Sequence, residues 1–230
     1  MKLKVLNSGS DGNCYILTSD SNKHLILDCG VSIKTIKKGL EFDIENTVAA
    51  LCTHTHNDHS KAIPNLQKMG IPVWQPYLDE EHRRLKTRID EFIIESFDVF
   101  HNHVPCRAFL ITIGAEKILY ATDFEFISYD LRKQGITVML VELNYLNEMV
   151  DKNNDHIVHL CRGHAEARTA LELVNHNSRK LHTVLFCHMS RSGNLDRAKV
   201  EEMIPDYISP WINWYWCKAG ETYQIDSIPF

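Results

Sequence analysis

Six consecutive positions, His54-Thr55-His56-Asn57-Asp58-His59, gather four side chains able to bind a metal ion. They follow an apolar stretch, Val48-Ala49-Ala50-Leu51-Cys52, so the run reads as a turn leaving a buried strand. Side chains there alternate with period two, so His54 and His56 point the same way and can share one ion. Asp58 and His59, on the far side of the turn, can take a second. Imidazole nitrogen together with carboxylate oxygen suits a borderline divalent cation such as zinc, and manganese, iron or cobalt accept the same donors.

Two ions need more donors than one loop offers. Each further candidate lies just past an apolar strand-like run, where side chains from different strands can converge. Asp123 follows Ile118-Leu119-Tyr120-Ala121-Thr122, and one carboxylate there could bridge both ions. His188 follows Val184-Leu185-Phe186-Cys187, and His101 and His103 follow Phe97-Asp98-Val99-Phe100. An isolated Asp or His at a strand end is more often a cap or a surface group; the repetition is what makes these a set.

The elements that would carry them can be read from periodicity. Strands are expected at Leu3 to Leu6, Tyr15 to Thr18, His24 to Leu27 and Val48 to Cys52, the first two joined by the turn-rich Asn7 to Asn13. A helix is expected from Ser32 to Leu40 with Ser32 as its cap. A second carries Ile63, Leu66 and Met69, and a third, charged one spans about Asp79 to Arg88. Strands follow at Phe92 to Ile94, Val99 to Phe100, Phe109 to Ile113, Ile118 to Tyr120, Val138 to Glu142 and Thr183 to Cys187. The last helices are expected near Glu166 to Val174 and Asp196 to Met203. Sheets covered by outer helices follow from this alternation, an α/β class; periodicity alone leaves a two-sheet sandwich and a doubly wound sheet open.

Composition narrows the classes. With 230 residues, 44% of them hydrophobic, one domain over 1–230 can bury a sizeable core. No apolar run approaches the ~18 residues of a membrane span, and the first residues lack the apolar core of a signal peptide. The seven cysteines are odd in number and form no Cys-x-x-Cys pair, so they read as reduced core residues of a cytoplasmic protein. The formal net charge of −5 gives no general attraction to nucleic acid, so any phosphate binding must be local.

The chain resembles the metallo-β-lactamase superfamily nearly end to end. The His-x-His-x-Asp-His signature is His54 to His59, and the family's preceding aspartate matches Asp28 in Leu25-Ile26-Leu27-Asp28-Cys29-Gly30. Within the superfamily it is most similar to the YycJ/WalJ-type group. The matching segments are Ser8 to Asn13, Thr122-Asp123, Glu142-Leu143-Asn144, Arg162-Gly163-His164 and His188-Met189-Ser190. Three departures stand out: Ala165-Glu166 where the group has Leu-Ser, Ser190 to Asn194 without the doubled Asn, and His101-Asn102-His103 in place of His-Asp-Ala.

The resemblance implies a four-layer αβ/βα sandwich of two mixed sheets flanked by helices. It assigns His54, His56 and His101 to one metal and Asp58, His59 and His188 to the other, with Asp123 bridging. His101 is favoured over His103 as the third histidine of the first site. Asp58 would also orient the attacking water. Asp28 would fix a histidine tautomer, with a plain turn aspartate as the alternative. His164, expected at a helix start after Gly163, would supply a proton to the leaving oxygen, with Glu142 holding its ring; the alternative is a capping histidine beside a surface glutamate. Arg191 could contact a substrate phosphate or remain a solvated loop residue. His24, His82, His156, His159, His176 and His182 carry no ligand spacing to the cluster. Trp211 to Trp216 reads as a late strand or a homodimer contact ahead of a base-stacking surface.

These expectations converge on a hydrolase needing two divalent ions, zinc or manganese. It would cleave phosphodiesters of nucleic acid or nucleotides, foremost as a 5′-to-3′ DNA exonuclease. A cyclic-nucleotide phosphodiesterase is the alternative. A thioester or lactam hydrolase would have no use for the Glu142–His164 pair, and a metal-stabilised binding module would need only one closed site.

Overall fold

The structure is a computed structural model that describes all residues except 80, 152–156, 191–192 and 227–230. Two mixed β-sheets face each other with helices on both outer faces. The first sheet is built from β1 (Lys2–Asn7), β2 (Cys14–Thr18), β3 (His24–Leu27), β4 (Thr47–Leu51) and β5 (Val73–Trp74), in that spatial order. The pairs β1–β2 and β2–β3 are antiparallel, whereas β3–β4 and β4–β5 are parallel. The second sheet contains β6 (Arg84–Ile89), β7 (Phe92–Val99), β8 (Cys106–Ile113), β9 (Glu116–Ala121), β10 (Val138–Glu142), β11 (Thr183–Cys187) and β12 (Asn213–Trp216), also adjacent in chain order. Its first half is an antiparallel meander; from β9 to β12 it is parallel. The last strand, β13 (Thr222–Gln224), returns to pair with β1.

Alternation along each strand explains the layering. Leu3, Tyr15, Leu25 and Leu51 meet Phe109, Tyr120, Leu140 and Leu185 between the sheets. The intervening Ile16, Ile26 and Ala50 face outward onto α1 (Ile33–Gly39) and α3 (Ile63–Lys68). On the other side Leu119, Met139, Val184 and Phe186 pack under α5 (Ala167–His176) and α6 (Arg197–Tyr207). Strands buried on both faces lose their polar half and become continuous apolar runs, as in Val138 to Val141. The resulting α/β/β/α order is the four-layer sandwich expected.

One consequence of the topology places the chemistry. Strands β1, β3 and β4 run the same way, because two antiparallel pairings relate β1 to β3. By the same reasoning β7 runs with β9, β10 and β11. All of these carboxyl ends therefore fall on one edge of their sheet, where open α/β sheets bind ligands.

Several elements depart from expectation. The charged segment Asp79 to Arg88 is not a helix: after a 3-10 turn at Pro76–Leu78 it forms the edge strand β6. Lys and Arg favour helix in isolation, but pairing of Arg84 through Ile89 with β7 overrides that preference. A two-residue turn, with Asp90 at φ 52°, closes the hairpin. The two short strands expected between Phe92 and Phe100 are one strand, β7. A helix without a strong sequence signal, α4 (Ile157–Gly163), precedes His164, which therefore follows a helix end and does not begin one. Within the Trp211 to Trp216 segment, Asn213–Trp216 forms β12, with Trp214 and Trp216 packed against the core.

Candidate metal centre

The loop after β4 leads into the short helix α2 (Asn57–Ser60), with His56 at its N-terminal flank and Asp58 in its first turn. Gly30 makes this possible: a β-carbon there would lie 1.6 Å from the Asp58 carbonyl oxygen, so only glycine lets the two loops meet. His101 follows β7 by two residues, Asp123 follows β9 by two, and His188 follows β11 by one. Asp28, Asp123 and His188 all adopt left-handed backbone, at φ 54°, 53° and 49°. Such conformations cost on the order of 1–3 kcal/mol each and persist where the surroundings over-determine them. Here they turn each side chain sharply off its strand end into a common space.

Two groups of donors meet there. In the first, His54 Nε2 lies 2.9 Å from His56 Nδ1, which lies 3.1 Å from His101 Nε2. In the second, His59 Nε2 is 3.4 Å from Asp58 Oδ2 and 3.0 Å from Asp123 Oδ2, and His188 Nε2 is 3.8 Å from each of those oxygens. Donor atoms of His54, His59 and Asp123 also fall within 4.8 Å of one another, so Asp123 stands between the groups. The structure thus brings together all seven residues expected as ligands. It separates His101 from His103: His101 is buried in the cluster, whereas His103 is exposed on a turn. Positive φ at Asn102 and His103 ends the extended geometry in which both would have faced one side.

The donor chemistry fits a cation. His101 Nδ1 donates to the Gly163 carbonyl at 2.6 Å, His59 Nδ1 to Asp28 Oδ2 at 2.7 Å, and His188 Nδ1 to Glu142 Oε1 at 2.8 Å. With Nδ1 donating, each ring would present its Nε2 lone pair to an ion in the cluster, which is how metal-binding histidines are commonly held. His188 Nε2 is buried and has no hydrogen-bond partner. An orphaned buried polar atom costs roughly 1–3 kcal/mol, and a cation bound there would relieve that penalty. Burial pushes the His54 and His101 pKa values down, keeping both rings neutral. For Asp58, burial works upward, but contacts with His188 and His59 outweigh it and hold the carboxyl low. For His188, burial works downward, yet Asp123 and the other carboxylates bring it up to about 10. The carboxylates demand positive charge at this position, and a divalent ion would supply it.

Glu142 is fully buried and saturated. Its Oε1 accepts from His164 Nδ1 at 2.8 Å, His188 Nδ1 at 2.8 Å and Asn144 Nδ2 at 3.1 Å. Its Oε2 accepts from the Phe124 and Ala165 amides, both at 3.2 Å. The alternative of a surface glutamate is thereby removed. The His164 ring stacks on His188 with centroids 5.2 Å apart, and its Nδ1 lies 3.5 Å from Asp123 Oδ1. Asp28 is no simple turn residue either: beyond His59 it accepts from Thr53 N at 2.8 Å and from Tyr120 Oη at 2.5 Å. Arg191 lies outside the described residues. Glu166, standing where the resembling group has a hydroxyl, caps α5 by accepting from the Arg168 and Thr169 amides. Of the histidines given no role, His182 pairs with Glu116 and His82 with Asp79, but His159 lies near the site, its ring centroid 6.1 Å from that of His164. His156 falls outside the described residues.

Sequence reasoning passed over several supports. Asn13 places Nδ2 2.9 Å from His59 Nε2, its amide oriented because Oδ1 accepts from Gly9 N. Ser8 Oγ accepts from His188 N at 2.9 Å, and Asn144 Nδ2 donates to the His188 carbonyl at 2.7 Å. Ser8, Asn13 and Asn144 stood in the resembling motifs; their partners lie 44 to 180 residues away in the chain, beyond the reach of local patterns.

Comparisons with known proteins agree with this fold. Residues 8–92 match the family described as the metallo-beta-lactamase superfamily. Exodeoxyribonuclease YycJ of Bacillus anthracis is 27% identical over 173 residues, covering 65% of each chain. Exodeoxyribonuclease WalJ of Streptococcus pneumoniae is 30% identical over 150 residues, covering 55% of each. The chain thus aligns with less than two thirds of the length of these curated relatives. Among solved structures, the metallo-beta-lactamase fold protein YhfI from Bacillus subtilis superposes with a TM-score of 0.75 at 17% identity, covering 96% of this chain and 98% of that one.

Proposed function

We propose that this chain, which carries a metallo-β-lactamase domain, is a two-metal phosphodiesterase acting on nucleic acid or nucleotides, with a 5′-to-3′ DNA exonuclease as the leading form. The observation that carries the proposal is the buried Glu142–His164 contact at 2.8 Å beside Asp123. A thioester hydrolase expels a thiolate that can leave without a proton, whereas phosphodiester cleavage must deliver a proton to a leaving oxygen. The names of the two curated relatives support the DNA reading.

In this reading His54, His56 and His101 would hold one ion and Asp58, His59 and His188 the other, with Asp123 shared between the two sets. Divalent ions held there would activate water and neutralise charge developing on the phosphate. The chain's own groups do the rest. Asp58, half-buried in the first turn of α2, orients the attacking water. Glu142 accepts a hydrogen bond from His164 Nδ1–H, so the protonated ring presents Nε2–H to the substrate side and donates that proton to the leaving oxygen. Asp28, through His59 Nδ1, keeps that ring in the ligating tautomer. Zinc and manganese are the ions proposed, because both accept mixed imidazole and carboxylate donors.

A small nucleotide ester is the second reading, favoured by the net charge of −5, which disfavours a long phosphate track. Single-domain organisation over 1–230 and a cytoplasmic location belong to the same proposal. All seven cysteines are unpaired, consistent with a reducing compartment. No helix among the described residues is long and apolar enough to cross a membrane. A homodimer remains part of the proposal, with the exposed Trp211 as its candidate contact.

The test incubates purified protein and Mn²⁺ or Zn²⁺ with 5′-phosphorylated duplex DNA, single-stranded DNA and a panel of cyclic nucleotides. Metal-dependent release of nucleotides from the 5′ end is expected. Inertness toward every phosphodiester in the panel, with both metals bound, would overturn the proposal.

A further inference from the structure

Two phenylalanines sit on the loops that deliver ligands yet take no part in the donor cluster. Phe100 directly precedes His101, and Phe126 lies three residues beyond Asp123. Their rings stack with centroids 4.6 Å apart and planes 18° apart. The Glu125 amide donates to the Phe100 carbonyl at 2.7 Å, clipping the two loops together. Both rings remain in solvent, at 52% and 43% exposure. Apolar rings gain free energy by burial, so an ordered pair left open at a site's rim is a surface awaiting a partner.

Phe100 also lines a cavity of about 720 Å³ whose wall reaches His101 and includes Tyr129, Arg83 and Arg162. Arg107 in the same wall is already engaged by Asp98 at 2.8 Å and by the Asp79 and His82 carbonyls. Arg83 and Arg162 make no ion pair among the described residues. The carboxylates of Asp79, Asp98 and Glu125 line the cavity too, which disfavours a phosphate in its depth. A neutral, flat, aromatic group fits it better, with a neighbouring phosphate left to an arginine at the edge.

We propose that Phe100, backed by Phe126, stacks the nucleobase next to the scissile phosphodiester, and that Arg162 faces the adjoining phosphate. This rests on the phosphodiester reading above and names the part of the substrate that the site grips besides the bond it breaks. Stacking is tolerant of sequence because every base has a π-face. Phe126 acts as a positioning residue: with its support the Phe100 ring meets the base already in place.

The test uses protein loaded with Mn²⁺ and a 5′-phosphorylated single strand, either intact or abasic at the nucleotide flanking the first bond cleaved. Wild type is expected to favour the intact strand in kcat/KM by roughly 5- to 150-fold, the range carried by one stacked base. The ratio should fall toward one in Phe100→Ala, fall less in Phe126→Ala, and recover in Phe100→Trp. A trinucleotide bearing 2-aminopurine gives an independent reading, since stacking quenches its fluorescence; quenching should disappear in Phe100→Ala and return in Phe100→Trp. Metal content measured in parallel shows that the variants keep the centre intact. Cleavage with no preference for the intact strand overturns the stacking proposal and leaves the phosphodiester reading standing. If wild type cleaves neither strand, that reading falls, and the quenching result alone upholds or overturns the platform. A dimer that Phe100→Ala dissociates, with the base preference unaltered, would assign the pair to a subunit contact and overturn the proposal.

Discussion

Glu142 holds His188 through the same carboxylate oxygen that holds His164, each Nδ1 lying 2.8 Å away. The proposed proton donor and a proposed metal ligand therefore hang from one buried atom, and neither can be repositioned without the other. The amides of Phe124 and Ala165 fix the second oxygen, so the carboxylate has no freedom to favour one histidine.

Replacing Glu142 with Gln should expose this coupling. The amide keeps one acceptor but turns an NH₂ group toward donors that already point inward. Metal affinity should fall by about 10- to 100-fold, as for other groups that orient metal-bound histidines. Turnover should fall further than the metal loss explains. Chelator competition alongside kinetics at saturating metal separates the two; unchanged affinity would show that His188 does not depend on Glu142.

His164→Ala removes a ring that belongs to neither proposed ligand set. Both ions should remain, while kcat drops roughly 10²–10⁴-fold, the usual range for a lost general acid. Asp58→Ala removes a ligand as well as the group orienting water, so metal content and activity should fall together. Elemental analysis of each variant beside its rate distinguishes the cases. Full turnover by His164→Ala would remove the acid role from both His164 and Glu142.

Metal should stabilise the fold, because the cluster concentrates buried lone pairs and carboxylates that repel one another without it. At a metal concentration 100-fold above Kd, each ion bound to the native state contributes about 2.7 kcal/mol. For a chain of this size each ion then raises Tm by roughly 5–10 °C. Calorimetry with and without chelator measures it, and titration should saturate near two ions per chain. Saturation at one ion, unchanged by excess metal, would refute the two-ion arrangement.

Salt dependence should be shallow. Arg83 and Arg162 are the arginines of the cavity wall without an ion pair among the described residues. One phosphate contact through Arg162, or two if Arg83 also engages, implies a slope of log K against log salt between about −0.7 and −1.4 for a single strand. Binding of labelled oligonucleotide across a salt series gives the slope directly. A slope steeper than about −4 would demand a basic track elsewhere on the surface and a long polymer substrate.

Much of this arrangement was already present in local sequence, and the reason is periodicity. The apolar alternation of β1 and the near-continuous apolar runs of β2, β3, β4, β10 and β11 follow from faces that must be buried, so those strands could be read directly. The His54 to His59 run needed no fold to announce a metal, since four donors within six residues are close in any conformation. What one segment could not reveal was how separate strand ends meet. Only the turn at Asn102 and His103 decided that His101 enters the cluster and His103 leaves it. The charged residues from Arg84 to Arg88 prefer helix locally, and only pairing along β7 made them a strand. The double grip of Glu142 depends on β10 lying beside β11 and on the chain from α4 reaching the same edge. Residue types and short spacings set which groups could bind metal and move protons; their convergence came from parallel strands whose carboxyl ends share one edge, and distance along the chain carries no record of that.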